Sequence, residues 1–261
     1  MSGAPGLLSA FLLIPLSGAL LVGGTYAAGS RYGARVGLAS ALLTASSPVF
    51  LYQVVQRTSD VPAAALWMLA VAAVTGTRAR GAALGGLAAA AAVLVQPVLL
   101  PLAVPLVLFL LWRPERTWRS RVRTAAVFAL AAASGAVAVL LRQDAGYGSP
   151  VIAGYGEAHT PVWIIAAAAP ALLPGALTGL LVALVVVNAA VYLPYVVFED
   201  WSRLRYLLPA IPLVLILMIA SVDALCRRIA PWTARPVVAL VALALAVLAV
   251  REAHERGALR W

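Results

Sequence analysis

The chain has 261 residues, of which 64% are hydrophobic and only 11% are charged, and its mean hydropathy is +0.99. A soluble domain is about half apolar and about a quarter charged, so this composition excludes a soluble globular protein and indicates an integral membrane protein. The formal net charge of +10 does not indicate nucleic-acid binding, because no basic face interleaved with aromatic residues lies outside the apolar runs.

The apolar runs predict an all-α fold, a polytopic transmembrane helical bundle of about ten membrane helices with no soluble domain. Each run is roughly 15 to 20 residues long and lacks the alternation that a lipid-facing strand needs. The whole of 1–261 is therefore interpreted as one membrane domain. In chain order the predicted helices cover 7–28, 36–55, 61–77, 82–96, 98–112, 124–141, 163–177, 179–198, 206–225 and 236–250.

Two of the predicted turns have alternatives. The runs on either side of Gln96 and Pro97 also fit one broken, re-entrant unit. The turn near Pro174 and Gly175 has no charged loop to define it.

Arginine placement predicts the orientation, because cytoplasmic loops carry an excess of basic residues. With 113–123 on the cytoplasmic side, twelve arginines lie on the inner face and seven on the outer face. The inner set outside that loop is Arg31, Arg35, Arg78, Arg80, Arg227, Arg228 and Arg235. The sequence therefore predicts a multi-pass protein of the inner (plasma) membrane, with anionic membrane lipid as a partner and its polar site on the extracytoplasmic face.

Asp60 is the first candidate site residue, because it stands with Arg57 between two apolar runs on the predicted outer face. Ionisable residues at such positions are costly and commonly functional. The alternative is an N-cap: Ser59 or Asp60 accepts the free amides of a helix whose first turn contains Pro62.

The loop RQDAGYGSPVIAGYGEAHTPVW, residues 142–163, is the longest predicted outer loop, and loops of this composition bind polar ligands or simply turn. It contains Tyr155, a candidate for substrate binding, and the pair Glu157 and His159. This pair is a candidate for a divalent metal, although its spacing is not that of a strong zinc motif and a solvated histidine is the alternative. The sequence identifies no cofactor beyond that possibility.

A third polar cluster, FEDWSRLRYLLPAIP, lies between two predicted helices. Arginine suits a phosphate ester, because its planar guanidinium donates two parallel hydrogen bonds. The alternative is an interfacial belt, in which the aromatic residues lie at the headgroup level and the charges pair with one another. The candidate substrate- or phosphate-binding residues here are Glu199, Asp200, Arg203, Arg205 and Tyr206.

The same stretches carry a family resemblance. The run GALLVGGTYAAGSRYGARVGLASALLTASSPVFLYQVVQRTSDVPAAALW, followed by GLAAAAAVLVQP, YGSPVIAGYG and YLPYVVFEDWSRLRYLLPAIP, resembles the bacterial polytopic glycosyltransferases of the GT-C superfamily. Their relatives are the protein O-mannosyltransferases and the lipid A aminoarabinose transferases. The resemblance covers nearly the whole chain.

The resemblance implies an enzyme of the cell envelope that moves a sugar from a polyprenyl phosphate carrier to an extracytoplasmic acceptor. It matches Asp60 to the second acidic position of the family, near the donor phosphate or the acceptor. It also implies that the family's first helix and its loop aspartate are missing from this chain. Members often have a basic residue where this chain has Gln96, which is a departure from the pattern.

Two functions from another class stay open at this point. One is a non-catalytic or inactive membrane remnant that binds carrier lipid. The other is a transporter-like protein, which predicts paired charges near the middle of the membrane and repeat symmetry. The sequence does not indicate the sugar, the acceptor or the oligomeric state.

Overall fold

The structure, a computed structural model, describes residues 4–56, 58–76, 80–113, 117–147, 175–192, 206–229, 232 and 234–255. All regular elements in these ranges are helical, so the all-α prediction is confirmed for them. The helices are α1 (Ala4–Gly29), α2 (Ala34–Ser46), α3 (Pro48–Val55), α4 (Asp60–Thr75), α5 (Gly81–Val95), a 3-10 helix (Pro97–Leu102), α6 (Ala103–Trp112), α7 (Trp118–Tyr147), α8 (Ala176–Tyr192), α9 (Ile211–Ile229) and α10 (Ala234–Glu255).

Three stretches of the described chain are long and apolar enough to cross a membrane: Leu12–Gly29, Trp118–Arg142 and Ala234–Glu255. The pair α2 and α3, bent by 57°, makes a fourth if it is one broken span. Several other apolar helices fall short of the roughly 20 residues that a span needs. These findings do not confirm the predicted count of about ten membrane helices. The shorter helices are Asp60–Thr75, Gly81–Val95, Pro97–Trp112 and Ala176–Tyr192.

Prolines move several boundaries away from the predicted ones. The predicted helix 36–55 is two helices, because Pro48 has no amide hydrogen and Ser47 before it adopts an extended ψ of 129°. The predicted helix 98–112 begins as the proline-containing 3-10 helix and becomes α-helical at Ala103. The predicted helix 206–225 begins later, at Ile211, and continues to Ile229.

α7 is much longer than the predicted helix 124–141. It begins at Trp118 and includes Arg119, Arg121 and Arg123, which were expected in the loop 113–123. Arginine is a good helix former, and no glycine or proline interrupts the sequence from Trp118 to Ser134. Hydropathy therefore finds where the apolar part of this helix begins, but not where its hydrogen bonding begins.

The chain divides into two compact units, Met1–Met68 with Phe198–Trp261, and Leu69–Val197. In the first unit, called unit 1, α2 packs against α1, α9 and α10, and α3 packs against α1 and α10. Arg35 at the start of α2 and Arg227 near the end of α9 both form ion pairs with Asp223. Arg35 and Arg227, which the sequence places on the same side, therefore lie close together in unit 1.

In the second unit, called unit 2, α5 packs closely against α7, and α6 packs against α7 and α8. The α5–α7 contact depends on small residues. A Cβ atom added to Gly86 would lie 2.6 Å from Ala131 Cβ, and one added to Gly135 would lie 2.6 Å from Ala90 Cα. Real Cβ atoms do not approach this closely, so only glycine permits this distance between the two backbones.

Arg113, which follows α6, caps the C-terminal end of α4 in unit 2 with its side chain. Its Nη1 and Nη2 atoms each donate a hydrogen bond of 3.2 Å to the carbonyl oxygen of Gly76, and the guanidinium lies 5.4 Å from the centroid of the Phe109 ring. A cation is favourable at a helix C-terminus, where carbonyl groups lack intrahelical partners. The predicted placement of Arg113 and the end of α4 on one side is consistent with this contact.

We expect Arg113→Ala to lower the free energy of unfolding by about 1–2 kcal/mol, because it leaves the carbonyl group of Gly76 without its charged donor. Arg113→Lys should restore only part of the loss, since an ammonium group does not reproduce the planar pair of donors. Thermal unfolding in detergent, followed by tryptophan fluorescence, measures both. Equal stability of wild type and Arg113→Ala would show that the contact contributes nothing.

Candidate functional site

The turn between α3 and α4 places Asp60 at the first position of a buried helix. Gln56, after the end of α3, is extended with φ −89° and ψ 146°. The carbonyl oxygen of Ser59 accepts a 3.0 Å hydrogen bond from the amide of Ala63, so Ser59 occupies the N-cap position by its backbone. Pro62 is tolerated in this first turn, where its missing amide hydrogen has no intrahelical role.

The Asp60 side chain is buried, although it lies at a helix end. The residue is only 7% exposed, and Val61, Ala63 and Ala64 directly after it are fully buried. Burial disfavours a charged carboxylate, whereas the positive end of the α4 dipole favours it. The result is a carboxylate largely shielded from solvent at the start of an apolar helix.

A second buried polar group, the Gln53 carboxamide, lies at the same turn. Its Oε1 atom accepts a 2.9 Å hydrogen bond from the Thr58 hydroxyl, which connects the end of α3 to the segment before α4. The Gln53 residue is 1% exposed, and its Nε2 atom has no hydrogen-bond partner among the described residues. This unsatisfied donor can bind an anionic or carbonyl oxygen.

Sequence analysis did not select Gln53, although a single glutamine within the apolar helix PVFLYQVV was the signal that identifies it. A buried polar group without a partner is costly, so a polar residue inside an apolar helix is a candidate for a functional site. The Gln53 amide and the Asp60 carboxylate are therefore the two buried polar groups among the described residues of this turn.

Most of the other predicted site residues lie outside the described part of the chain. Tyr206 is described: it begins the short helical turn before α9 in unit 1 and is half-buried. Asp60 belongs to the same unit. The predicted site residues outside the described ranges are Arg57, Tyr155, Glu157, His159, Glu199, Asp200, Arg203 and Arg205.

Unit 2 contains a separate polar group at the helix break predicted near Pro97. Gln96, with φ −144° and ψ 93°, ends α5 and donates a 3.2 Å hydrogen bond from Nε2 to the hydroxyl of Tyr192 on α8. Asn188, one turn before Tyr192 on α8, is fully buried, and its amide atoms have no hydrogen-bond partner among the described residues. Gln96 thus forms a neutral hydrogen bond with Tyr192 at the position where the family resemblance implies a basic residue.

The described residues contain no group of three or more histidine, cysteine, aspartate or glutamate side chains placed to hold a metal ion. The predicted metal pair, Glu157 and His159, lies outside the described residues. The divalent-metal interpretation of that pair stays a prediction.

Comparison with known proteins gives one match. The model of the dolichyl-phosphate-mannose-protein mannosyltransferase family matches residues 3–141, which is more than half of the chain and includes the turn with Gln53 and Asp60. No curated protein and no solved structure matches the chain.

Proposed function

This chain belongs to the dolichyl-phosphate-mannose-protein mannosyltransferase family, and from that premise we propose that it transfers a sugar from a polyprenyl phosphate carrier to an acceptor on the extracytoplasmic face of the membrane. The family match over 3–141 carries the proposal. The apolar helices support it, since a lipid-linked donor is anchored in the membrane and these helices place the protein there.

Asp60 supplies the carboxylate in the proposed reaction. An acceptor hydroxyl oxygen attacks the anomeric carbon of the donor sugar while the bond between that carbon and the phosphate oxygen breaks. The polyprenyl phosphate leaves with the electron pair of that bond, and the Asp60 carboxylate takes the acceptor proton. General-base assistance of this kind requires a carboxylate within hydrogen-bond reach of the acceptor.

The departing phosphate gains negative charge, so hydrogen-bond donors at that oxygen accelerate the reaction. The Gln53 Nε2 atom is such a donor at the turn of Asp60. In addition we propose that phosphate and donor are bound by Arg57, Tyr155, Glu199, Asp200, Arg203, Arg205 and Tyr206. We further propose that Glu157 and His159 would hold a divalent metal ion, which would stabilise the negative charge of the departing phosphate.

The proposed setting is the inner (plasma) membrane of a bacterial cell envelope. In this proposal the chain has about ten membrane helices, and the shorter apolar helices are among them. The acidic and basic side chains of the proposed site then lie at the extracytoplasmic ends of these helices.

The proposal is tested with membranes from cells that overproduce the full chain. These are incubated with polyprenyl phosphate carrying radiolabelled mannose or aminoarabinose. We expect chain-dependent transfer of label from one donor into material that organic solvent does not extract, with release of an equal amount of polyprenyl phosphate. Binding of the donors without consumption of either would instead support a non-catalytic protein that binds carrier lipid.

A further inference from the structure

One end of unit 1 concentrates arginines where two pairs of helices are joined. The turn between α1 and α2 contains Arg31, and Arg35 lies in the first turn of α2. Arg227 lies near the end of α9, and Arg235 near the start of α10. We call this region the basic end, defined by Arg31, Arg35, Asp223, Arg227, Trp232 and Arg235.

A buried carboxylate holds two of these arginines close together. Asp223 is 4% exposed, and its Oδ2 atom accepts a 2.7 Å hydrogen bond from Arg227 Nε. Its Oδ1 atom lies 3.7 Å from Arg35 Nη1, which is too long for a hydrogen bond. The α2 and α9 ends are thus connected through Asp223, and both guanidinium groups stay partly exposed beside it.

The positive charge of the basic end exceeds its negative charge. Arg31 and Arg235 are exposed. Gly33, between Arg31 and Arg35, adopts a φ of 131°, which permits the tight turn between α1 and α2. The residues that define this end include four arginines and one carboxylate. The net charge therefore favours an anionic partner.

The surroundings of the basic end indicate a lipid rather than a soluble anion. Trp232, between α9 and α10, is 83% exposed, as is typical of aromatic residues at the level of the lipid headgroups. Directly beyond the arginines the same helices expose large apolar side chains, Leu38 on α2, Leu225 on α9 and Leu240 on α10. Arginines followed at once by exposed leucines match a phosphate headgroup followed by acyl chains.

We propose that the basic end is a binding site for the headgroup phosphate of an anionic phospholipid. The arginines bind the phosphate oxygens, Trp232 lies at the interface, and the exposed leucines contact the acyl chains. The site is independent of sugar transfer, and its test does not use the activity of the protein.

The test measures binding of phosphatidylglycerol and phosphatidylcholine to the purified full chain by native mass spectrometry and by the shift in melting temperature. We expect phosphatidylglycerol to bind and stabilise wild type more than phosphatidylcholine does. The double variant Arg31→Gln/Arg235→Gln should weaken phosphatidylglycerol binding roughly 10- to 30-fold, because each removed charge weakens attraction to the anionic lipid. Arg31→Lys/Arg235→Lys should retain most of the binding.

Arg142→Gln/Arg251→Gln is the matched control, because it also removes two exposed arginines. Arg251 lies on α10 about four turns beyond Arg235. The control should bind phosphatidylglycerol like wild type. Equal losses in both double variants, or no loss in Arg31→Gln/Arg235→Gln, would overturn the proposal.

A separate measurement adds inorganic phosphate to the purified full chain and records the shift in melting temperature. Stabilisation by inorganic phosphate equal to that by phosphatidylglycerol would assign the basic end to a free anion and overturn the lipid proposal. If the glutamine double variant does not fold, Trp232→Ala tests the same site through its exposed aromatic side chain. The Trp232→Ala variant should bind phosphatidylglycerol several-fold more weakly than wild type. Unchanged binding would contradict the proposal.

Discussion

Asp60→Asn is expected to lower sugar transfer by about 10²- to 10⁴-fold, because asparagine keeps the shape of the side chain but does not accept the acceptor proton. The substitution should leave the protein folded, since loss of a charge at a helix N-terminus costs only about 0.3–1 kcal/mol. Initial rates of label transfer at saturating donor, together with the melting temperature of the same preparations, measure the two effects separately.

This experiment separates the two interpretations of Asp60. A residue that only stabilises the start of α4 predicts a slightly lower melting temperature and an unchanged transfer rate. Glu255→Gln is the control, because it neutralises an exposed carboxylate that pairs with Arg251 at the end of α10. Full activity of both variants would remove Asp60 from the proposed mechanism, while a loss in both would indicate an effect of net charge.

Gly135→Ala is expected to lower the free energy of unfolding by about 1–3 kcal/mol, because the added methyl group has no space between α5 and α7. Its Cβ atom would contact the Ala90 backbone, with 2.6 Å to Cα and 2.8 Å to the carbonyl carbon. Backbone atoms cannot rotate away as a flexible side chain does, so the two helices must separate. Thermal unfolding of the purified protein in detergent measures the change.

Gly23→Ala is the matched control on α1. A Cβ atom at Gly23 would meet nothing within 4 Å, so alanine should stabilise that helix by about 0.5–1 kcal/mol through its higher helix propensity. Opposite shifts of the melting temperature in the two variants would support the close α5–α7 packing. Stabilisation by Gly135→Ala would contradict it.

The sequence predicted the helical class and several boundaries to within a few residues. The helices beginning at Asp60 and Gly81 are close to the predicted 61–77 and 82–96, because glycine, proline and charged residues mark their ends. The bend at Pro48 and the extension of α7 to Trp118 were missed. An apolar run shows where lipid is favourable, whereas a helix continues for as long as its backbone hydrogen bonds do.

The candidate site was predicted only in part. Asp60 was found because a carboxylate between two apolar runs is conspicuous in a sequence. Gln53 was missed, although it is a single glutamine within the apolar helix PVFLYQVV, because its importance comes from burial, which the sequence does not show. The buried Asn188 amide escaped attention for the same reason.

Composition and pattern by themselves determined that this protein is helical and lies in a membrane, because transfer to lipid depends on the summed polarity of each segment. The sequence also contains the family pattern around Asp60. Only the tertiary structure decided which polar groups are buried, that Asp223 connects Arg35 to Arg227, and that Gly135 must be a glycine. These facts depend on distances between residues far apart in the chain, and such distances follow from packing rather than from local composition.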